Sequence, residues 1–362
     1  MDMIKGKRIL ITGGTGSFGN AFIDFSKDCD IKFVVFSRDE KKQHDMFVER
    51  NNNNIEYVVG DIRDKSRVLK HFRDVDYVMH AAALKHVPTG EKFPEEVINT
   101  NVLGTKNVIE AAEECGVEKI VNLSTDKAVY PINAYGMSKA LAEKLMSAHK
   151  GDTACVCLRY GNVIGSRGSV IPLFIDKVLN NLPLTITNEN MTRFLLPLSH
   201  AVALSKKCLE IGQNGDLFVI RPPAATIKTV VDALELNYAK SLERQIIGIR
   251  PGEKMDETLL TPEELCRAKT FTDDGIDYMK IPRLDGNIGD YFYHGKDCKI
   301  AEPFTSANTT LLNAEETLNL IKEAGLLYNG KNYKIIRSFT STNDILLNTK
   351  ENLELIKETE FS

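Results

Sequence analysis

The sequence predicts an α/β protein built on a doubly wound parallel sheet, with a smaller C-terminal lobe beside it. Two observations support this fold class. Six short apolar runs rich in valine and isoleucine alternate with stretches of helical spacing in the first half of the chain. The first of these runs leads directly into a glycine-rich turn. Strands separated by helices pair in parallel, so we expect helices on both faces of the sheet.

The six predicted strands follow one another at regular spacing. In chain order they are RILITG, IKFVVFS, IEYVVGD, DYVMHAA, EKIVNLS and ACVCLRYG. In an open parallel sheet, ligands bind at the carboxyl ends of the strands. The residues that follow each strand are therefore the candidates for a functional site.

The first strand runs into ITGGTGSFG, in which three glycines have G-x-x-G-x-x-G spacing and open a helix near Ser17. Such glycines allow a tight turn and let backbone N–H groups approach a pyrophosphate. Because the motif follows a strand and precedes a helix, it predicts a Rossmann-type dinucleotide site. The residues assigned to this site are Gly13, Thr15, Gly16, Ser17, Phe18 and Gly19.

The end of the second strand predicts which dinucleotide is bound. An NAD site usually places an acid there to hold the ribose 2′-hydroxyl. This chain presents Ser37 and Arg38 first, followed by Lys41, which favours a 2′-phosphate and hence NADP. The alternative is that Arg38 begins a solvated helix turn while Asp39 holds the ribose.

The third and fourth strands complete the predicted cofactor site. Asp61 and Ile62, in VVGDIRD, lie where an adenine would meet an acceptor and an apolar wall. HAAALKH ends the fourth strand with small residues that also suit tight helix–sheet packing. Its cofactor residues are Ala81, Ala82 and Ala83.

The fifth strand is followed by a concentration of proton carriers in STDKAVYPINAYGMSK. Tyr135 lies four residues before Lys139, which places both on one face of a predicted helix. The charge of Lys139, together with that of a positively charged nicotinamide, would lower the pKa of the Tyr135 phenol toward the range in which it can act as a general base. Both residues are also assigned to cofactor binding.

Composition excludes several classes of protein. The chain is 43% hydrophobic and 27% charged with a net charge of −4, which is typical of a globular protein and does not favour nucleic acid as a partner. No stretch approaches the roughly 18 apolar residues of a membrane span, so we expect a cytoplasmic protein. The seven scattered cysteines indicate reduced core residues rather than metal ligands, and no metal site is predicted.

Several segments together resemble one family. TGGTGSFG, STDKAVYPINAYGMSK, RYGNVIGSRGSVIPLF, MTRF and GIRPGEK are similar to the soluble UDP-N-acetylglucosamine 4,6-dehydratases of the extended short-chain dehydrogenase/reductase superfamily, over roughly residues 5 to 325. The likeness is greatest to the branch that inverts C5 in bacterial surface-sugar biosynthesis. Some relatives replace the tyrosine with methionine, whereas this chain keeps Tyr135.

The resemblance implies a reaction on a UDP-N-acetylhexosamine. C4 is first oxidised with NADP, and water is then lost across C5 and C6. Tyr135 would take the C4 hydroxyl proton, Lys127 the C5 proton, and Asp126 would protonate the departing C6 hydroxyl. Thr125 would bind the C4 oxygen. Asp126 favours the charged form of Lys127, so Lys127 could instead be an electrostatic clamp.

The resemblance also assigns substrate contacts. Arg250 can bind a diphosphate as a fork and Glu253 can accept a ribose hydroxyl, while His86 could equally be a structural histidine. The assigned set is Lys85, His86, Asn162, Arg193, Arg250 and Glu253. The resemblance places Lys85 at the nicotinamide of the cofactor as well as at the sugar. We expect a cofactor domain over residues 1–165, to which some later segments return, a substrate lobe over 166–327, and a homo-oligomer.

Three alternatives to a C5-inverting dehydratase remain open. The first is a C5-retaining 4,6-dehydratase. A UDP-sugar 4-epimerase or reductase of the same fold would need Tyr135 and Lys139 but not Asp126 and Lys127. A non-catalytic NADP-sensing module would have no use for the tyrosine–lysine pair.

The C-terminal end contains an internal repeat. The segment 293–324 recurs 35 residues later, and 18 of the 32 aligned residues are identical. Two copies are too few for a solenoid. We expect residues 328–362 to form a duplicated terminal element that packs peripherally or against another subunit.

Overall fold

A computed structural model describes residues 4–166, 168–283 and 302–327. A nine-stranded sheet forms its centre, with the strand order β13-β14-β9-β6-β5-β4-β1-β2-β3. Seven neighbouring strands, from β9 to β3, pair in parallel. β14 and β13 extend the sheet antiparallel at one edge.

The six predicted strands are confirmed and supply most of the parallel part of the sheet. Their bounds are β1 Arg8–Thr12, β2 Lys32–Ser37, β3 Ile55–Val59, β4 Tyr77–His80, β5 Lys119–Thr125 and β6 Ala154–Tyr160. Helices alternate with them: α1 Ser17–Asp24, α2 Glu40–Arg50, α3 Lys65–Phe72, α4 Val87–Lys92, α5 Pro94–Val97, α6 Gly104–Cys115 and α7 Ala134–Ala148. A π-helical segment, Ile98–Leu103, joins α5 to α6.

The second half of the chain both extends this sheet and builds a separate lobe. Its strands are β7 Leu184–Ile186, β8 Thr192–Phe194, β9 Leu217–Ile220, β10 Ala224–Thr226, β11 Arg244–Ile246, β12 Thr258–Leu260, β13 Lys269–Asp273, β14 Ile276–Ile281 and β15 Phe304–Thr305. Its helices are α8 Val170–Leu179, α9 Leu198–Ile211, α10 Ile227–Tyr238, α11 Pro262–Arg267 and α12 Ala314–Glu323. The proposed division between residues 165 and 166 stays a prediction.

The core follows the alternation of the strands. Ile9 and Ile11 of β1 contribute to one apolar cluster, with α1 and α9, while Leu10 contributes to the cluster on the opposite face. Alternate side chains of a strand point to opposite faces, so both faces of β1 are buried. A third cluster lies in the second lobe between α8, α10 and α12. The doubly wound α/β fold class is thereby confirmed.

One sequence expectation is modified. Cys266 is exposed, although Cys155, Cys157 and Cys208 are buried as expected. In the described part of the first repeat, Ile321 is buried, whereas Leu311 is half exposed and precedes α12. The second copy, residues 328–362, lies outside the described residues. Among the helices of the described ranges, none has the length and apolarity required to cross a bilayer.

Candidate active site

The glycine turn between β1 and α1 packs too closely for side chains. Gly13 has φ +66°, and a Cβ there would lie 2.9 Å from the backbone of Ala82. A Cβ on Gly19 would lie 2.2 Å from the carbonyl oxygen of Gly14. Gly16 is the N-cap of α1, and no side chain caps it. The turn therefore offers a backbone cradle at a helix N-terminus, which fits a pyrophosphate.

The end of β2 brings together the residues predicted to select the dinucleotide. The hydroxyls of Thr15 and Ser37 lie 3.0 Å apart. Arg38 is about half exposed and its guanidinium lies 3.6 Å from Asp61. Asp39 instead caps α2, where it accepts from the backbone of Lys42 at 3.0 Å. The geometry thus leaves Arg38 at the surface, while Asp39 serves the helix.

The other basic residue predicted there, Lys41, is directed elsewhere. It is exposed and forms an ion pair with Asp45, one turn further along α2, at 2.7 Å. Its proposed contact with a 2′-phosphate requires that this surface pair open. Surface pairs of this kind are weak, so such a rearrangement costs little.

Asp61 and Ile62 lie between β3 and α3. Asp61 accepts from the backbone and the side chain of Arg63, both at 2.9 Å. Burial opposes ionisation of Asp61, but its bonds to Arg63 outweigh that effect and lower its pKa. Ile62 is buried, and a Cβ on Gly104 would lie 2.7 Å from it. An anionic acceptor and an apolar wall therefore lie side by side, as predicted.

A buried hydrogen-bond chain fixes the alanine segment after β4. The backbone N–H of Ala82 donates to Thr12 at 3.2 Å, and Thr12 binds His80 at 2.7 Å. His80 also binds Thr105 at 3.0 Å. Burial, with a smaller contribution from the charge of Lys139, lowers the pKa of His80 to about 3, so this histidine stays neutral.

Asn101, in the π-helical segment, extends this support to α7. Its side chain binds the backbone of Leu84 in both directions, at 2.8 and 2.9 Å, and donates to Ser138 at 2.9 Å. Ser138 in turn donates to the carbonyl of Tyr135 at 2.7 Å. Sequence reasoning missed His80 and Asn101. A histidine ending a buried strand was the one available signal.

Thr125, Asp126 and Lys127 lie at the carboxyl end of β5, where the strand passes into a short 3₁₀ helix, Asp126–Ala128. The hydroxyl of Thr125 donates to Oδ1 of Asp126 at 2.8 Å. Nζ of Lys127 donates to the same oxygen at 3.1 Å. Asp126 is fully buried and Lys127 is about one quarter exposed. The three residues thus form one connected group.

Glu257 belongs to this group and was not predicted. It immediately precedes β12, is buried, and places Oε1 3.2 Å from Nζ of Lys127. Arg193 lies 3.9 Å from the same oxygen. Because about 130 residues separate Glu257 from Lys127, no spacing pattern could have connected them.

The ionisable groups of this cluster differ in how readily they carry a charge. Burial raises the pKa of Asp126. Burial alone would lower the pKa of Lys127, but the carboxylates of Asp126 and Glu257 outweigh it and raise this pKa. Burial opposes ionisation of Glu257 as well, yet the charges of Lys127, Arg193 and Lys254 lower its pKa. Lys127 is therefore a stable ammonium group, and Asp126 is the carboxyl that holds a proton more readily.

Tyr135 and Lys139 lie on the first two turns of α7, which Asn133 caps by accepting from Gly136 at 2.8 Å. Burial raises the pKa of Tyr135, and the charge of Lys127 and a bond with Thr125 oppose this. Burial lowers the pKa of Lys139 to about 8. The cation acting on Tyr135 in this structure is thus Lys127, a partner that helical spacing did not indicate.

The predicted substrate residues differ in their surroundings. His86 is exposed and caps α4 by bonding Thr89, which matches its structural alternative. Lys85 is exposed beside it. Asn162 has a buried side-chain oxygen without a hydrogen-bond partner in the described part of the chain, so it is open to a ligand. The outcome for binding stays a prediction in each case.

Arg193, Arg250 and Glu253 lie on or beside the loop that leads to Glu257. Arg193 donates to the carbonyl of Lys254 at 3.0 Å and to that of Met255 at 3.0 Å, so it holds this loop. Arg250 is about half exposed, with Glu253 at 3.9 Å. A loosely paired, exposed guanidinium remains available for a diphosphate.

Three comparisons place the chain among known proteins. Residues 9–276 match the family described as "Polysaccharide biosynthesis protein". UDP-glucose 4-epimerase of Rickettsia rickettsii is 48% identical over 333 residues, covering 88% of this chain and 96% of that protein. The solved structure of Pen from Bacillus thuringiensis aligns with a TM-score of 0.81 and 34% identity, covering 90% of this chain and 99% of that chain.

A further solved structure is that of a nucleotide-sugar enzyme with a bound dinucleotide. UDP-glucose 4-epimerase of Thermus thermophilus, described as a complex with NAD, aligns with a TM-score of 0.62 and 25% identity over 72% of this chain and 92% of that chain. The family match spans more than half of the sequence, and the Rickettsia relative is aligned along nearly its whole length. Together they show that the chain belongs to the polysaccharide biosynthesis protein family.

Proposed function

We propose that this protein converts a UDP-linked hexose through a transient ketone at C4, using a nicotinamide dinucleotide. The observation that carries this proposal is the position of Thr125, Tyr135 and Lys139 at the sheet edge that also holds the glycine turn. A bound nicotinamide would accept hydride from C4 and later return it. The Thermus thermophilus epimerase, described as a complex with NAD, supports such a cofactor.

The chain's own residues supply proton transfer and charge. Tyr135 takes the proton of the C4 hydroxyl, and when the sugar is bound the hydroxyl of Thr125 turns from Oδ1 of Asp126 to donate to the C4 oxygen. The ammonium group of Lys127 stabilises negative charge on the Tyr135 oxygen, since it is the cation that acts on Tyr135. Arg250 and Glu253 bind the diphosphate and a ribose hydroxyl of the nucleotide.

The preferred dinucleotide is NADP. Ser37 and Arg38 are the residues presented at the end of β2, and Asp39 is engaged as the cap of α2. A 2′-phosphate would gain a charge-assisted bond from the guanidinium of Arg38. NAD is the alternative, and the Thermus thermophilus complex provides a precedent for it.

The first candidate activity is 4-epimerisation of a UDP-hexose. The curated relatives at 46–48% identity carry the name UDP-glucose 4-epimerase, which supports this alternative better than the dehydratase that we expected from sequence motifs. Epimerisation returns hydride to the opposite face of C4. It requires Tyr135 and Lys139 and can use the charge of Lys127 on Tyr135, but it needs no acid in the place of Asp126.

The second candidate is 4,6-dehydration of UDP-N-acetylglucosamine, with inversion at C5. It is favoured by the two buried carboxyl groups beside Lys127, those of Asp126 and Glu257, for which epimerisation has no use. A 4-ketone acidifies the C5 proton, and a carboxylic acid beside the sugar can protonate the departing C6 hydroxyl. The raised pKa of Lys127 supports a role as an enolate clamp rather than as the base, in which case a water takes the C5 proton.

One experiment distinguishes the two candidates. The purified protein is incubated with UDP-glucose and, separately, with UDP-N-acetylglucosamine in deuterium oxide, and the products are identified by NMR. An epimerase gives the C4 epimer without deuterium on carbon. A dehydratase gives deuterium at C5 and a new C6 methyl group, whose product configuration reports inversion or retention. If neither substrate changes with either dinucleotide present, the proposed function is wrong.

A further inference from the structure

Two carboxylates flank Lys127. In each of them one oxygen faces the ammonium group of Lys127, and the other has no hydrogen-bond partner among the described residues. Oδ1 of Asp126 accepts from Thr125 and Lys127, whereas Oδ2 has no hydrogen-bond partner among the described residues. Oε1 of Glu257 faces Lys127, whereas Oε2 likewise lacks a partner in the described ranges. Both unpartnered oxygens are buried, and burial of such groups is costly unless a ligand or proton satisfies them.

The charges show which oxygen carries a proton. Buried carboxylates that share a site do not both ionise readily. Arg193 lies 3.9 Å from Glu257, and the charge of Lys254 acts on Glu257 more than on Asp126, so the cations other than Lys127 favour ionisation of Glu257. A proton on Asp126 must sit on Oδ2, because Oδ1 already accepts two donors.

Glu257 is held in place by its backbone rather than by its carboxylate. Its N–H donates to the hydroxyl of Ser306 at 2.9 Å, and its carbonyl accepts from the N–H of Ser306 at 2.8 Å. The hydroxyl of Ser306 also lies 2.6 Å from that of Thr192. Since the fold fixes Glu257 without using its carboxylate, the charge of that carboxylate is left for Lys127.

We propose that Glu257 is a positioning residue of the reaction. Its carboxylate holds the ammonium group of Lys127, so that Asp126 keeps a proton on Oδ2 and donates it to an oxygen of the bound sugar. In the elimination, a water takes the C5 proton and the electron pair of the C5–H bond passes through the enolate to form the C5–C6 double bond. The proton of Asp126 passes to the C6 hydroxyl, the C6–O bond breaks, and water leaves. This inference rests on the proposed function, specifically on the dehydration branch.

The test measures the protonation of Lys127 directly. Trace acylation with acetic anhydride from pH 7 to pH 12, followed by mass spectrometry of the Lys127 peptide, gives the pH at which its amine becomes reactive. Removing one of two close carboxylates lowers a lysine pKa by about one to three units. We therefore expect Glu257→Gln to move the Lys127 midpoint down by at least about one pH unit.

Matched variants separate charge from folding. Glu257→Asp keeps the charge and should keep the midpoint within about half a unit of wild type. Glu264→Gln removes another buried carboxylate of the same chain segment, which pairs with Arg159, and should not move the midpoint. If Glu257→Gln does not fold, Glu257→Asp is compared with the double variant that also carries Asp126→Asn. This comparison shows whether the carboxylate at position 257 alone maintains the midpoint of Lys127 acylation.

Catalysis gives the second readout. In Glu257→Gln, Asp126 becomes the carboxylate that pairs with Lys127, so Asp126 ionises. The alkaline limb of the pH profile of kcat for dehydration should therefore move to lower pH, while KM changes less than threefold. An unchanged Lys127 midpoint in Glu257→Gln would overturn the inference. Absence of any turnover by wild-type protein, with a shifted midpoint in the variant, would instead overturn only the proposed function.

Discussion

The substitution Arg159→Met tests how the site is held together. Arg159, on β6, is 4% exposed and joins three parts of the protein. It binds Glu143 on α7 at 2.6 and 3.0 Å, Glu264 on α11 at 2.9 and 3.0 Å, and the carbonyl of Leu259 on β12 at 2.7 Å. These bonds connect the helix that carries Tyr135 to the segment that carries Glu257.

The magnitude follows from what the substitution leaves behind. Methionine fills much of the volume but leaves two nearly buried carboxylates without their cation, and breaking a buried pair in this way costs about 3–5 kcal/mol. Glu143 keeps a bond from Ser124, and Glu264 keeps one from Thr261. We therefore expect the lower end, a loss of about 3 kcal/mol in the free energy of unfolding at pH 7.

The pH dependence has a defined sign. Burial opposes ionisation of Glu264, but the charge of Arg159 outweighs it and lowers its pKa in the folded protein. A depressed carboxyl pKa contributes stability above the unfolded pKa of about 4.3, and this is lost as pH falls. In Arg159→Met the charge of Arg159 no longer offsets the burial of Glu264, so the pKa of Glu264 rises in the folded variant. The difference between wild type and variant should therefore shrink as pH falls from 7 toward 4.

Urea unfolding followed by circular dichroism measures both effects. The matched control is Lys65→Met, which removes exposed pairs with Glu110 at 3.0 Å and Glu114 at 2.9 Å. Exposed pairs contribute about 1 kcal/mol or less. If Arg159→Met were no more destabilising than Lys65→Met, or if its effect were constant between pH 7 and pH 4, the reasoning would be refuted.

Three further predictions concern the cofactor and the proton carriers. Arg38→Asp should shift dinucleotide preference from NADP toward NAD, measured as the two Kd values by fluorescence titration; an unchanged ratio would remove Arg38 from the 2′-phosphate site. Tyr135→Phe should slow C4 oxidation by about 10² to 10⁴-fold in single-turnover absorbance measurements, with little change in UDP-sugar affinity, and wild-type rates would exclude Tyr135 as the base. Lys139 has a folded pKa of about 8, below its unfolded value, so wild-type stability should rise as pH increases from 8 toward 10. Lys139→Met should lack that rise in melting temperature, and an identical rise in both proteins would contradict the assignment.

The sequence determined the parts of this protein whose signals are local. Strand periodicity predicted β1 to β6, and the glycine spacing predicted the turn into α1, because close backbone packing at Gly13 and Gly19 permits no side chain. Ligands bind at the carboxyl ends of parallel strands, and this rule singled out Thr125, Asp126 and Lys127, which lie at the end of β5 in the structure. Each of these inferences depends on a few consecutive residues.

Tertiary structure alone decided the electrostatic partners. Glu257 meets Lys127, and Arg159 meets Glu264, only because β12 and α11 fold back over the sheet edge. Spacing on α7 suggested Lys139 as the cation acting on Tyr135, whereas the structure assigns that effect to Lys127. Electrostatic interactions depend on distance through space and on burial, and neither can be obtained from separation along the chain.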